Sequence, residues 1–220
     1  MGLTPRLAAV LSYIDPCEIL ADIGTDHGYL PIEAIKKGIC KQAIAADINQ
    51  GPVHTAIKNI AVAGLSSDIN ARLGGGLTPI QLAEIDHVTI CGMGGMLIWR
   101  ILSENKESMN KARHAKNLIL QPQHDLEELR RNLHGAGFFI ADEKLVREGQ
   151  RFYTIIKTRY TGQNEQWTDK EYYLGKYFLQ NKSEIFAQYL HQQKEKIEKY
   201  LANASATKLQ QLEWIKGELS

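Results

Sequence analysis

Short apolar runs alternate with amphipathic stretches over the first 135 residues of the chain. Five runs have the length of buried strands, and the stretches between them place apolar residues three or four positions apart, as helices do. The strand-like runs are 19–23, 43–47, 68–73, 86–91 and 117–120. The helical stretches are 3–14, 30–37, 52–63, 77–83, 97–102 and 126–134. This alternation predicts an α/β fold built on a parallel sheet.

Two further strand-like runs, 138–147 and 151–160, follow each other without a helix between them. They predict an antiparallel hairpin. Beyond residue 162 the strand signals end, and charged residues interleave with apolar ones at helical spacing. We therefore predict two domains, one with the sheet over residues 1–162 and one over residues 163–220 with two or three helices in an antiparallel hairpin.

Composition narrows the class of protein without naming a partner. The 220 residues are 44% hydrophobic, enough for a buried core, and contain no apolar run long enough for a membrane span. The start of the chain lacks the layout of a secretory signal, so we expect a cytoplasmic protein with no membrane partner. Three cysteines without a CxxC spacing and histidines without an i, i+4 pair predict no metal. The formal net charge of +1 means that local basic patches would have to hold any RNA.

The first apolar run ends in a glycine-containing turn, DIGTDHG at 22–28. Ligands of parallel sheets collect at such strand ends. A dinucleotide fingerprint requires G-x-G-x-x-G, whereas Gly24 and Gly28 stand four apart, which disfavours NAD. Asp47 ends the second run and suits the hydroxyls of a ribose, a feature that NAD proteins and S-adenosylmethionine proteins share. The terminal hairpin decides between them, because it resembles the end of the class I methyltransferase sheet.

Four motifs in this order resemble the TrmK family of bacterial tRNA (adenine-N1)-methyltransferases: DIGTDHGYLP at 22–31, ADI at 46–48, GMGG at 92–95 and LQPQ at 120–123. The resemblance runs over essentially the whole chain. It implies a class I S-adenosylmethionine-dependent methyltransferase with a Rossmann-like, seven-stranded, mostly parallel sheet and a C-terminal all-helical, coiled-coil-like domain. The implied reaction transfers a methyl group from S-adenosylmethionine to N1 of adenine 22 in tRNA.

Residues at the strand ends are the predicted ligands of S-adenosylmethionine. Asp22, Gly24 and Gly28 shape the loop, and Asp47 binds the ribose. The complete predicted set is Asp22, Gly24, Thr25, His27, Gly28, Asp47, Ile48, Gly74, Gly75 and Gly92. Gly75 departs from the methyltransferase pattern in which an acidic or polar side chain binds the cofactor adenine, and we expect backbone amides to take that role.

Asp26 is the predicted catalytic residue. Neutral adenine has a lone pair and no proton at N1, so attack on a sulfonium methyl needs no deprotonation but leaves the ring positively charged. The site must therefore stabilise a cation and exclude water. Asp26 would act electrostatically or accept a proton from the exocyclic amine. The alternative is that Asp26 caps the helix that begins near Gly28, and His27 is likewise open to a substrate contact or a turn cap.

Six residues are predicted to contact the substrate: Tyr29, Met93, Gln121, Gln123, Arg130 and Arg131. Tyr29 offers a ring on which a flipped adenine can stack, although packing under the helix is an equal alternative. The next three residues end the fourth and fifth strands, where methyltransferases receive the target base; the alternative is two ordinary connections. Arg130 and Arg131 form one of several basic patches able to bind phosphates, and a solvated charged face explains each patch equally well.

Three rival functions stay open on the sequence. They are a methyltransferase for another RNA, small-molecule or protein acceptor, an NAD-dependent oxidoreductase, and a non-catalytic RNA-binding or scaffold protein with the same fold. Cofactor binding separates the oxidoreductase from the others, and turnover separates the non-catalytic protein. We expect a monomer, because a helical hairpin that folds back on itself covers the apolar stripe that self-association would cover.

Overall fold

A computed structural model describes residues 2–201 and 204–220 of the chain. Its strands are β1 Cys17–Ile23, β2 Cys40–Asp47, β3 Ile69–Leu73, β4 His87–Met93, β5 Asn117–Pro122, β6 Phe138–Glu148 and β7 Arg151–Tyr160. They form one sheet with the order β3-β2-β1-β4-β5-β7-β6. β1 to β5 are parallel, whereas β7 pairs antiparallel with both β5 and β6. The predicted mostly parallel seven-stranded sheet with a terminal hairpin is therefore confirmed.

Helices precede, connect and follow the strands. Within the described residues they are α1 Pro5–Leu11, α2 Tyr29–Lys36, α3 Gln50–Val62, α4 Gly95–Ser103, α5 Lys106–His114, α6 Leu126–Gly135, α7 Asp169–Leu174, α8 Lys176–Asn181, α9 Glu184–Glu198 and α10 Ala206–Leu219. Over the same residues, no helix combines the length and the apolar character needed to cross a membrane.

The sheet is buried on both faces, which explains why its central strands read as continuous apolar runs. Successive residues of a strand point to opposite faces. In β1, Leu20 packs with α1, α2 and α3, while Ala21 and Ile23 pack with α4 and α6 on the other face. In β5, Ile119 packs on the same face as Leu20, and Leu120 packs on the opposite face with Ala21 and Ile23. Helices cover these two faces, so the carboxyl ends of the parallel strands lie side by side at one end of the sheet.

Two connections between β3 and β5 differ from the sequence prediction. The predicted helix 77–83 is wrong, because only Leu82–Glu84 form a 3₁₀ turn. Pro79 stands in this connection, where its ring would lie 3.0 Å from a Cβ at Gly74, and proline cannot donate a backbone hydrogen bond. The sequence also gave no sign of α5. Its buried face includes Lys111, whose Nζ donates to Leu77 O at 3.1 Å, so the helix has no continuous apolar stripe.

The C-terminal helices pack against α6 and the hairpin. Trp167 and Tyr172 extend the core that lies under α4 and α6. A separate apolar cluster joins Leu145 of β6 to Phe186 of α9 and Leu212 of α10. The described residues contain four helices here, α7 to α10, so the predicted two or three helices undercount them.

Candidate active site

A cavity of about 370 Å³ opens where the carboxyl ends of β1, β2 and β4 meet. This volume lies within the range of small-molecule and cofactor sites. The strand order reverses between β1 and β4. Such a switch point is where open α/β sheets bind ligands, because the connections from the two strands leave in opposite directions. The cavity therefore stands where the fold predicts a binding site.

The loop after β1 makes one wall, and its turn depends on left-handed backbone conformations. The angle φ is 73° at Gly24, 55° at Asp26 and 72° at Gly28. Gly24 N donates to Ala46 O of β2 at 2.8 Å, which ties the loop to the neighbouring strand. A Cβ at Gly24 would overlap Cε of Met93. Cε is the end of a flexible side chain that can move aside, so the positive φ is what requires glycine at position 24, and a Cβ there would displace Met93.

Two buried aspartates end β1 and β2 behind this loop. The Thr89 hydroxyl donates to Asp22 Oδ1 at 2.6 Å, and Asn49 N donates to Asp47 Oδ1 at 2.8 Å. Burial raises the pKa of Asp22, the hydrogen bond from Thr89 opposes that shift, and the charge of Asp47 adds to it. A cation bound beside Asp22 would favour its ionised form.

An apolar ledge continues outward from Asp47. Ile48 is 70% exposed, and its Cδ1 would lie 3.2 Å from a Cβ at Gly75. Gly74 N donates to Asp47 O at 2.9 Å, which fixes the glycine turn beside β2. Because position 75 carries no side chain, the exposed side chain of Ile48 keeps a free apolar face for a flat ring. The other predicted cofactor ligands form the cavity wall itself or begin α2: Asp22, Gly24, Thr25, His27, Gly28, Asp47 and Gly92.

Asp26 stands in the cavity wall with 68% of its side chain exposed, and its carboxylate lies 3.3 Å from His27 Nε2. Gly28 is the N-cap of α2, and among the described residues Asp26 makes no side-chain hydrogen bond to the first turn. The alternative that Asp26 caps this helix is therefore wrong. Tyr29 is 37% exposed, with its ring centroid 5.3 Å from that of His27, so it is not a core residue either.

Comparison with known families places the chain. The sequence model of TrmK, tRNA (adenine(22)-N(1))-methyltransferase, matches residues 20–219. The chain belongs to the TrmK family. Among TrmK relatives, the tRNA (adenine(22)-N(1))-methyltransferase of Bacillus subtilis (strain 168) is 37% identical over 156 residues. The match covers 71% of this chain and 64% of the B. subtilis protein, which is less than two thirds of that protein's length.

Solved structures share the TrmK fold over nearly the full length of this chain. B. subtilis M1A22 tRNA methyltransferase TrmK matches with a TM-score of 0.81 and 28% identity, over 100% of this chain and 99% of that one. M. capricolum TrmK in complex with S-adenosyl-homocysteine also gives 0.81 and 28%, over 99% and 95%. Streptococcus pneumoniae Sp1610 in complex with S-adenosyl-L-methionine gives 0.92 and 33%, over 100% of both chains. The predicted fold class is thus confirmed.

Arg6 is a cavity residue that the sequence did not reveal. It comes from α1, before the first strand, and its side chain reaches the cavity wall near the end of β4. Arg6 Nη1 donates to Gln121 Oε1 at 2.7 Å, and its Cζ lies 5.6 Å from the ring centroid of Tyr153. A single arginine in an N-terminal helix belongs to none of the motifs, so only the packing of α1 against β5 and β7 exposes its position.

Gln121 supports Arg6 and does not face a substrate. Its side chain is fully buried; Oε1 also accepts from Gly92 N at 3.2 Å, and Nε2 donates to Pro122 O at 2.8 Å. The predicted direct contact between Gln121 and the substrate is therefore wrong. Gln123, two residues further along the chain, is exposed in the cavity wall, where the sequence placed it.

Arg130 is fully buried, so the prediction that it binds tRNA phosphates is wrong. Its Nε donates to Glu143 Oε1 at 2.7 Å, and its Nη1 donates to the carbonyls of Tyr172 and Tyr173 at 2.7 and 3.1 Å. Burial raises the pKa of Glu143, and the charge of Arg130 opposes that shift. These contacts join α6, β6 and α7 inside the core.

Arg131, the other half of the predicted basic patch, lies at the surface but has acidic partners. Its Nη2 donates to Glu127 Oε1 at 2.8 Å and to Asp169 Oδ1 at 2.7 Å, and its Cζ lies 4.3 Å from the ring centroid of Tyr172. Two carboxylates offset its charge, so Arg131 offers a weaker phosphate site than an unpaired arginine would.

A second cleft, of about 570 Å³, adjoins the cavity, and Gln123 lines both. Its walls are the turn between β5 and α6, the start of β7 and one side of α9. Arg151 and Lys196 stand exposed on its walls, from β7 and α9 respectively. Throughout the described part of the chain, no three His, Cys, Asp or Glu side chains cluster closely enough to hold a metal ion.

Proposed function

We propose that this chain transfers a methyl group from S-adenosylmethionine to N1 of adenine 22 in tRNA. The observation that carries the proposal is the exposed Asp26 carboxylate in the wall of a cofactor-sized cavity, in a chain of the TrmK family. The reaction is the one that the name of the B. subtilis relative states. The residues around the cavity give each step of this reaction a physical basis.

The groups of the cavity match the parts of S-adenosylmethionine. The carboxylate of Asp47 accepts hydrogen bonds from the ribose hydroxyls, and Ile48 and Gly75 provide an apolar ledge for the adenine ring. Asp22, when ionised, complements the positive charges of the ligand. Bound in this cavity, S-adenosylmethionine supplies an electrophilic methyl group on a sulfonium centre.

Asp26 stabilises the charge that appears on the acceptor. When the lone pair of adenine N1 bonds to the methyl carbon, the methyl–sulfur bond would break with its electron pair staying on sulfur, and the ring would become a cation. A carboxylate fixed beside that ring lowers the energy of the transition state, and more so once the bound nucleotide covers Asp26 and excludes water. The backbone of Asp26 has a φ of 55°, in the left-handed region that aspartate and asparagine enter more readily than other residues with a Cβ.

Tyr29 and Gln123, which both line the cavity, receive the target base. The exposed ring of Tyr29 stacks the flipped adenine, a contact worth about 1–3 kcal/mol per base. Gln123 presents an amide to the base edge, and Met93 closes the cavity behind Gly24. Neither Tyr29 nor Gln123 has to move out of the core to meet a base, because both are already exposed.

The tRNA strand lies in the second cleft on its way out of the cavity. Arg151 and Lys196 place two positive charges along it, where they bind phosphates next to the flipped nucleotide. This pair takes the place of Arg130 and Arg131 in the prediction made from the sequence. The C-terminal helices thereby contribute one wall of the RNA path through α9.

Replacing Asp26 with asparagine tests the catalytic assignment. Asparagine tolerates the left-handed conformation as aspartate does, so the Asp26→Asn variant should keep its melting temperature. We expect its kcat for unmodified tRNA to fall about 10²- to 10³-fold, since one electrostatic stabiliser is lost. Its Kd for S-adenosylhomocysteine, measured by calorimetry, should stay within about twofold, a change well under 1 kcal/mol.

Asp68→Asn is the matched control, because Asp68 directly precedes β3 and so lies at the amino ends of the parallel strands, opposite the cavity at their carboxyl ends. Its kcat should equal that of the wild type. A folded Asp26→Asn variant with wild-type kcat would remove Asp26 from catalysis. A wild type that binds S-adenosylhomocysteine but leaves tRNA unmethylated would instead contradict the tRNA acceptor.

A further inference from the structure

We propose that Cys17 and Cys40 form a site of reversible oxidation, at which a hydroperoxide converts the two thiols into a disulfide that cross-links β1 to β2. The site is separate from the proposed methyl transfer and does not depend on it. Cys17 begins β1, Cys40 begins β2, and the two residues lie directly opposite each other in the parallel register. The pair therefore stands at the amino ends of the strands, whereas the cofactor cavity stands at their carboxyl ends.

The two thiols already have the geometry that a disulfide requires. Their Sγ atoms are 2.9 Å apart and share a hydrogen bond, so a bond of about 2.05 Å needs a movement of less than about 1 Å. Neighbouring strands are about 4.8 Å apart, which lies within the Cα–Cα range of disulfides. Both side chains pack in the apolar cluster on the side of the sheet that α1, α2 and α3 cover. The disulfide can therefore form without a shift in strand register.

The surroundings give the two cysteines different chemical roles. The hydrogen bond with Cys40 lowers the pKa of the Cys17 thiol, and burial opposes this shift. The charge of Asp86 also opposes the shift, whereas that of Lys116 assists it. The same hydrogen bond and burial raise the pKa of the Cys40 thiol. Cys17 is half-buried and Cys40 is 3% exposed, so Cys17 meets the oxidant as the reactive thiolate and Cys40 stays a thiol behind it.

The oxidation proceeds in two steps. The Cys17 thiolate attacks one oxygen of the hydroperoxide, the O–O bond breaks with its electron pair on the leaving oxygen, which takes up a proton, and Cys17 becomes a sulfenic acid. The Cys40 sulfur then attacks the Cys17 sulfur, and the displaced hydroxide takes the Cys40 proton to become water. With hydrogen peroxide, the two thiols lose two electrons and two protons in total, and the peroxide is reduced to two molecules of water.

The new bond would close the part of the chain that contains the cofactor loop. Residues 17–40 comprise β1, the loop 22–28 and α2. A disulfide stabilises a protein mainly by restricting its unfolded chain. We therefore expect oxidation to raise stability. The cavity should keep its shape, because it lies at the other end of β1, about 20 Å along the strand.

Cys91 provides an internal control for the pair. It follows Ile90, which pairs with Ile23 at the carboxyl end of β1, so Cys91 is about 20 Å from Cys17 and too far away for a disulfide. Burial raises the pKa of the Cys91 thiol, which leaves little thiolate at neutral pH. After oxidation of the pair, Cys91 should remain the thiol that an alkylating reagent can modify in the unfolded chain.

Treatment of the full-length protein with hydrogen peroxide, followed by unfolding and alkylation, tests the inference. We expect the intact mass to fall by that of two hydrogens and one of the three thiols to be alkylated. Trypsin cleaves between the two cysteines, so mass spectrometry should find a linked pair of peptides, 7–36 and 38–41. Dithiothreitol should separate the two peptides.

The melting temperature and ligand binding show what the bond does to the fold. The melting temperature of the oxidised protein should exceed that of the reduced protein by about 5–10 °C and return to the reduced value with dithiothreitol. The Kd for S-adenosylhomocysteine should change by less than about twofold between the two forms.

Single variants separate the roles of the two thiols. Cys40→Ser should stop at a sulfenic acid on Cys17, which dimedone labels, and its melting temperature should not rise. Cys17→Ser removes the attacking thiolate, so dimedone should leave Cys40 unlabelled. Cys91→Ser is the matched control and should form the same linked peptides as the wild type.

Three free thiols after peroxide treatment of the wild type would overturn the inference, and so would a disulfide that joins two copies of the chain. Linked peptides with an unchanged melting temperature would overturn the stabilising role. A Kd for S-adenosylhomocysteine raised tenfold or more by oxidation would show that the bond distorts β1, contrary to the inference. The proposed methyl transfer by the reduced protein would stand in each case.

Discussion

Single residues in the loop after β1 set the shape of the cavity, because Gly24, Asp26 and Gly28 all adopt positive φ. Glycine enters this region at little cost, whereas a residue with a Cβ pays about 1–2 kcal/mol. Asp26 alone of the three carries a side chain. The loop therefore combines two positions where the backbone must come close to its surroundings with one position that presents a carboxylate.

Gly24→Ala tests this interpretation of the loop, with Gly38→Ala as the control. Both glycines adopt similar φ, 73° and 65°, but a Cβ at Gly24 would overlap Met93, whereas nothing lies within 4 Å of a Cβ at Gly38. We expect both variants to lose about 1–2 kcal/mol in the free energy of unfolding, measured with urea, through backbone strain. Only Gly24→Ala should also weaken S-adenosylhomocysteine binding, by at least about tenfold.

An equal loss of affinity in the two alanine variants would show that general destabilisation, and not the space at position 24, controls binding. An unchanged affinity in Gly24→Ala would mean that the ligand does not lie against this turn. The two variants share their backbone conformation, so their difference isolates the contact with Met93.

At the scale of elements, the buried pair of Arg130 and Glu143 shows why charge along a helix is a poor guide to RNA contacts. Arg130 and Arg131 are neighbours in sequence, yet the side chain of Arg130 is fully enclosed and that of Arg131 is at the surface. Removing one partner of such a buried pair typically costs about 3–5 kcal/mol. A loss of tRNA binding after changing Arg130 would therefore report on the docking of α6, β6 and α7.

The cleft between the hairpin and α9 gives a cleaner test of RNA binding. We expect the double variant Arg151→Ala, Lys196→Ala to weaken tRNA binding about tenfold and to reduce the salt slope of log Kd by about 1 for each lost phosphate contact. Its affinity for S-adenosylhomocysteine should not change, because neither residue lines the cofactor cavity. Filter binding at several salt concentrations measures the slope.

Lys37→Ala is the control for this pair. Lys37 is exposed at the end of α2, near the amino ends of the parallel strands and away from the cleft. If Lys37→Ala weakens tRNA binding as much as the double variant does, the effect is one of overall charge. If the double variant binds tRNA with wild-type affinity and salt slope, the RNA path does not follow this cleft.

At the scale of the whole molecule, the sheet could be predicted from sequence because its central strands are buried on both faces and read as apolar runs. The cofactor loop could be predicted for a related reason: its residues follow directly on two of those strands. Arg6 could not, since it meets Gln121 across 115 positions of sequence. The burial of Arg130 likewise depends on α7, which packs onto α6 only in the folded chain.

Helix α5 and the connection before β4 could not be predicted from the sequence either. The buried face of α5 includes Ser108 and Lys111 beside Met109 and Ala112, so it has too few apolar residues for hydrophobic periodicity to reveal the helix. The apolar residues at 77 and 80 are buried in a turn and not on a helix. Periodicity identifies elements that bury apolar stripes and misses those whose buried faces are polar.

The most direct test of the central claim is the position of the methyl group on the RNA. Purified protein would be incubated with labelled S-adenosylmethionine and two unmodified tRNA transcripts, one with adenine and one with guanine at position 22. We predict 1-methyladenosine at position 22 of the first transcript and no label in the second. Label at another nucleotide, equal label in both transcripts, or no label despite bound cofactor would contradict the proposed reaction.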